Sequence, residues 1–108
     1  MAELNPGNQA PITVTTRTEG GTPVVSLSGE LDLSNTGHVR SYLDDALAGG
    51  SERLVFDLSG LEFMDSSGIA LLAAAAQRVR EVEIREPPAT VRRLLELTGL
   101  TEILRIVS

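Results

Sequence analysis

Ser66 and Ser67 stand between Asp65 and Gly68 in the stretch LEFMDSSGIALLAAAA, where a strand-like apolar run meets an almost purely apolar helix. Serines in that setting can cap the helix, attack a substrate, hold an anion or receive a modification. Capping needs only a side-chain oxygen facing the first free N–H groups; Asp65 or Ser66 supplies it, and Gly68 eases the turn. Attack needs more. Strand–turn–helix is the setting of a nucleophile elbow, but Gly-x-Ser-x-Gly requires a glycine two positions before the serine. Met64 holds that position for Ser66, and Asp65 holds it for Ser67. A base is missing too: the single histidine, His38, falls with Ser41 and Asp45 on the polar side of the first predicted helix. Asp32, Asp57 and Asp65 lack the spacing of a calcium loop and read as solvated strand-end acids, so neither a metal site nor a catalytic residue is assigned.

Composition narrows the field further. With 108 residues there is room for one domain and one modest core. Phe56, Phe63 and Tyr42 are the only aromatics, so that core must be aliphatic. The absence of cysteine excludes disulfides, thiolate metal sites and thiol nucleophiles. All nine basic residues are arginine, which excludes a P-loop or Schiff-base lysine, and a net charge of −6 disfavours nucleic acid as a partner. The opening MAELNPGNQAP is neither basic nor apolar, and the run Ile69–Ala76 is too short to span a bilayer. A cytoplasmic protein without cofactor or membrane insertion is expected, with residues 1–10 as a flexible tail and 11–108 as the domain.

The elements that must position the serines follow from pattern. Residues 12–18 and 23–29 are rich in β-branched side chains around EGGTP, and predict a hairpin. Ser34 is placed as the N-cap of a helix whose apolar stripe is Val39, Tyr42, Leu43, Ala46 and Leu47, ending at Gly49–Gly50. Residues 53–59 carry three consecutive apolar side chains, as in a strand covered on both faces. A second helix is expected over Ser66–Val79 and a strand over 81–86. Pro87–Pro88 then open a third helix, with Val91, Leu94 and Leu95 inward and Gly99 as its stop. A last strand is expected over 101–108.

A hairpin followed by alternating helices and strands predicts an α/β fold, with a mixed sheet of four to five strands and about three helices. If the second and third strands run parallel and adjacent, Asp32, Asp65 and Ser66 converge at the carboxyl edge of the sheet, where sites in open α/β sheets gather. The second helix is apolar most of the way round. Ile69, Leu72, Ala73 and Ala76 can face the core, leaving Leu71, Ala74 and Ala75 as either a lightly covered side or a shallow docking surface beside the serines.

Three segments, GELDLSNTGHVRSYLDDAL, LVFDLSGLEFMDSSGIALL and PATVRRLLELTGLTEILRI, together resemble the STAS domain of the anti-sigma factor antagonist family across residues 12–106. The resemblance implies a STAS-type single domain with a regulatory, non-enzymatic role. In such partner switching the dephosphorylated antagonist binds an anti-sigma factor, itself an ATP-dependent serine kinase of ATPase fold, and so frees the sigma factor. The kinase phosphorylates the first serine after the aspartate, here Ser66, and a metal-dependent serine phosphatase reverses the step. Asp32 and Asp65 match the acidic positions beside that serine, and Ser67 matches the unmodified one. With Gly68 and Leu71 these residues form the expected partner-binding surface. The alternative is a non-switching STAS scaffold subunit of a signalling or lipid-transport assembly. One departure stands out: AQRVREVEIREPP runs from the second helix into the next strand without the few extra residues, often a Gly-Gly turn, that relatives carry.

Overall fold

Residues 11–107 are described by a computed structural model; the expected tail at 1–10 and Ser108 lie outside the described residues. Strands β1 (Ile12–Glu19) and β2 (Thr22–Leu31) form the hairpin, followed by α1 (Thr36–Leu47), β3 (Arg53–Met64) and α2 (Ser66–Ala76). Then come β4 (Glu81–Arg85), α3 (Ala89–Leu97), a 3-10 turn (Leu100–Glu102) and β5 (Arg105–Val107). The sheet order is β1-β2-β3-β4-β5, antiparallel between β1 and β2 and parallel thereafter. This is the expected mixed α/β sheet with three helices.

Gly20 and Gly21 make the two-residue hairpin loop at φ +56° and +87°, a left-handed pair that non-glycine residues resist. Beyond the hairpin each parallel strand needs a crossover, and all three helices bury their apolar sides in one cluster. Val39 and Leu43 of α1, Leu71, Leu72 and Ala75 of α2, and Val91 and Leu95 of α3 pack with Val25, Leu27, Leu54, Phe56, Leu58, Val82 and Ile84. Among the described residues, no helix is long and apolar enough to cross a membrane.

β3 is covered on both faces, as expected, since Leu54, Val55 and Phe56 are all buried, but the helices lie on one face only. Val55 lies in a cross-strand row with Arg17, Val24 and Glu83, and the next row is Thr15, Ser26, Asp57 and Arg85. Arg85 bridges Glu19 at 3.0 Å and Glu83 at 2.7 Å, while Arg17 holds Glu19 at 2.8 Å. Val24 and Val55 are buried in their row, flanked by the long charged side chains of Arg17 and Glu83. A run of three apolar residues does not reveal which neighbours cover it.

Element ends differ from expectation. β3 runs to Met64 rather than Ser59, pairing with β2 through register shifts between Ser26 and Ser28 and between Gly29 and Glu30. Asn35, not Ser34, is the N-cap of α1. On that helix Tyr42 is exposed rather than part of the core stripe. α2 stops at Ala76, three residues before Val79. Arg80 and Glu81 then donate their N–H groups to the carbonyl of Glu52, which closes the short link onto the start of β3. Before β5 the chain coils, because Leu100 and Leu104 are both buried at one-turn spacing, and only Arg105–Val107 pair with β4.

Candidate functional site

Because β2 and β3 are parallel neighbours, Leu31 pairs with Met64 and the chain leaves both strands at the same edge. Asp65 N–H donates to the Leu31 carbonyl at 3.2 Å, which ties the start of α2 to the end of β2. Asp65 is the N-cap of α2, with φ −105° and ψ −170°. Its Oδ1 accepts from the Ser67 N–H at 2.8 Å, from the Ser67 hydroxyl and, at 3.4 Å, from the Gly68 N–H. The Ser67 hydroxyl is the main reason its carboxyl lies below the usual aspartate value; burial opposes it, and the N–H groups of Ser67, Gly68 and Leu33 add to the lowering. The capping expectation therefore falls to Asp65.

The two serines are unequal. Ser67 is half-buried and its hydroxyl is committed to Asp65. Ser66 is exposed, and among the described residues its hydroxyl makes no hydrogen bond. Gly68 is buried because α2 crosses the strand ends closely. A Cβ there would lie 2.5 Å from Met64 Cγ and 3.0 Å from a Leu31 methyl.

Across from the serines, Asp32 opens the loop between β2 and α1. Its Oδ1 accepts from the Ser34 N–H at 2.9 Å and the Ser34 hydroxyl at 2.6 Å. Asn35 is 4% exposed; its Oδ1 accepts from the Asp32 N–H at 3.0 Å and its Nδ2 donates to the Glu30 carbonyl at 2.8 Å. Asp32, Asp65, Ser66 and Ser67 thus meet at the carboxyl edge of the sheet, as the strand order required.

Asp57 does not join them. It sits on the face opposite the helices, where burial raises its carboxyl but bonds from the Ser59 N–H and hydroxyl, with Arg17 and Arg85 nearby, outweigh burial and leave it low. His38 stacks edge-on against Tyr42, with ring centres 5.2 Å apart, and bonds to no serine or carboxylate among the described residues. No group of three or more His, Cys, Asp or Glu side chains among those residues could hold a metal ion.

Leu71 corrects the expected partner surface. It is 1% exposed, in the core with Leu72 and Ala75, while Ala70 and Ala74 face solvent and Ile69, Ala73 and Ala76 are half-buried. The close approach at Gly68 turns the stripe 68, 71, 72 and 75 inward. A uniformly apolar helix carries no periodicity that could have selected this face. Sequence pattern assigned no site role to buried Asn35 or to exposed Leu33 and Phe63. Asparagine is a preferred capping residue, and Leu33 is an apolar residue inside the polar run Asp32–Thr36, so both carried a weak local signal.

A family model described as "Mlab, STAS domain" matches residues 14–107. The anti-sigma-F factor antagonist RsfB of Mycobacterium tuberculosis is 31% identical over 100 residues, covering 90% of this chain and 82% of the relative. The crystal structure of an anti-sigma factor antagonist from Mycobacterium paratuberculosis superposes with a TM-score of 0.83 at 29% identity, covering 89% of this chain and 85% of that one. The Bacillus cell fate determinant SpoIIAA in its phosphorylated form shares the fold, with a TM-score of 0.70, 22% identity and coverage of 89% and 92%. Sheet order, the capped serine turn and these likenesses agree, and the chain belongs to the STAS domain anti-sigma factor antagonist family.

Proposed function

We propose that the protein works as a phosphorylation-controlled antagonist. In its dephosphorylated form it binds an anti-sigma factor that is a serine kinase and so releases the sigma factor; phosphorylation of Ser66 ends the complex. Members of the family are regulatory proteins without enzymatic activity, so Ser66 acts here as a substrate. The observation that carries this reading is the inequality of the serines: Ser66 is exposed and unengaged, whereas the Ser67 hydroxyl is held by Asp65. In the transfer, Ser66 Oγ attacks the γ-phosphorus of ATP, the bond to the bridging oxygen breaks, ADP leaves and the hydroxyl proton passes to the kinase. The phosphorylated Bacillus protein of the same fold supports such a modification. A metal-dependent serine phosphatase is the enzyme class that would reverse it, and Asp32, Asp65, Ser66 and Ser67 are the proposed contact residues.

Incubation with the cognate kinase and ATP should add one phosphate, mapped by peptide fragmentation to Ser66. Phosphate on Ser67, or none with an active kinase, overturns the assignment. Asp32→Ala should weaken kinase binding more than about tenfold, which needs only about 1.4 kcal/mol at the interface. A second reading, the non-switching scaffold subunit, expects Ser66 to stay unmodified.

A further inference from the structure

Leu33 is the most exposed large apolar side chain among the described residues, at 79%. Single exposed leucines are ordinary, but this one sits in a loop fixed on both sides. Asp32 holds Ser34 through two bonds, buried Asn35 ties Asp32 to the Glu30 carbonyl, and the N–H groups of Asn35 and Thr36 both reach the Asp32 carbonyl at 3.0 Å. The backbone is rigid and the side chain stands in water. Phe63, 49% exposed, lies at the same sheet end, paired with Glu30 and turned away from the core that takes Leu31 and Met64. Two residues with exposed apolar side chains therefore lie close to the serine turn, one on a tied loop whose N–H reaches the Asp65 carboxyl and one at the end of β3.

Charge says what covers them. Glu30, Asp32, Glu62 and Asp65 neighbour the pair along the chain or across the β2–β3 ladder, and the stretches 18–39 and 54–77 that carry them contain no arginine or lysine. A second copy of this chain would set carboxylates against carboxylates, which is unfavourable across an interface. Resting on the function proposed above, we infer that Leu33 and Phe63 are the apolar anchors of the kinase-binding surface. The kinase presents to them an apolar pocket rimmed by arginine or lysine. A loop backbone already tied before binding need not be ordered on association, and an acidic rim speeds encounter with a basic partner.

The probe is the purified anti-sigma factor kinase of the same organism that transfers phosphate from ATP to Ser66. It is titrated against wild type, Leu33→Ser, Phe63→Ser, Leu33→Met and Leu97→Ser, the last lying at the end of α3 away from the serine turn. Leu33→Ser and Phe63→Ser should each weaken binding about tenfold or more, as central apolar anchors do. Leu33→Met and Leu97→Ser should stay within about threefold, and all four variants should melt close to wild type. Added salt should slow association of the wild type. A kinase that binds and phosphorylates wild type but binds Leu33→Ser and Phe63→Ser equally well overturns the anchors and leaves the proposed function standing. If no kinase of the organism binds or phosphorylates the wild type, both fall. A dimer seen by sedimentation and dissolved by Leu33→Ser would assign the patch to a second copy and overturn the kinase as its occupant.

Discussion

Ser66 and Ser67 differ in exposure and in what Asp65 does to each, so stability should distinguish them before any partner is added. Ser67→Ala removes a side-chain bond to the cap and should cost about 0.5–1.5 kcal/mol, whereas exposed Ser66→Ala should change stability by less than about 0.5 kcal/mol. Matched denaturant titrations check the order; equal costs would mean that Ser67 is not engaged in solution. Asp65 itself carries the pH dependence. Its folded carboxyl titrates below an unfolded value of about 3.9, so its stabilisation is fully present above that value and is lost as pH falls through the folded one. Asp65→Ala should cost about 1 kcal/mol at neutral pH, and the gap to wild type should close at the acid end. A gap that persists unchanged below pH 3 (roughly one unit under the unfolded value) would place its origin outside the carboxylate.

At the scale of elements, α2 is where local pattern and packing part company. Its run Ile69–Ala76 is apolar on every side, so the buried stripe was set by Gly68 meeting Met64 and Leu31. Gly68→Ala tests this directly. Alanine favours a helix by at most about 1 kcal/mol, but the added methyl overpacks the contact at a typical cost of about 1–3 kcal/mol. Thermal melts should therefore show a lower midpoint for Gly68→Ala; a higher one would mean that the helix is free to shift off the strand ends. The hairpin and α3 were legible because their signals are local: Gly20–Gly21 between alternating strands, and Pro87–Pro88 ahead of Val91 and Leu95. The extension of β3 to Met64 was not, because it depends on register shifts in its partner β2.

For the whole molecule the question is whether phosphorylation acts on the fold or on the interface. Phosphoserine at position 66 adds about −1.5 to −2 charge at the start of α2, where the helix dipole favours an anion by ~0.3–1 kcal/mol. Asp65 and Asp32 oppose it, by ~1 kcal/mol per unit pair at 4 Å in water and more where a partner displaces water. Free in solution both effects act between exposed groups through water, where they are weakest, so the phosphorylated protein should keep its far-UV spectrum and melt within a few degrees of the unmodified form while losing the kinase. Paired melts and binding titrations decide this; cooperative loss of helix would mean that the switch works by unfolding. Sequence alone determined the alternation of strands and helices, because periodicity and turn glycines are local signals; the meeting of Asp32, Asp65 and Ser66 at one edge hung on β2 and β3 being parallel neighbours, which only the sheet pairing decided. Tertiary structure alone decided that Leu71 is core, that Val55 is buried on the face away from the helices, and that Leu33 is held out in water by Asn35 and Asp32. Each of these depends on which distant segment arrives beside the residue, and a uniform apolar run or a single loop leucine holds no record of its neighbour.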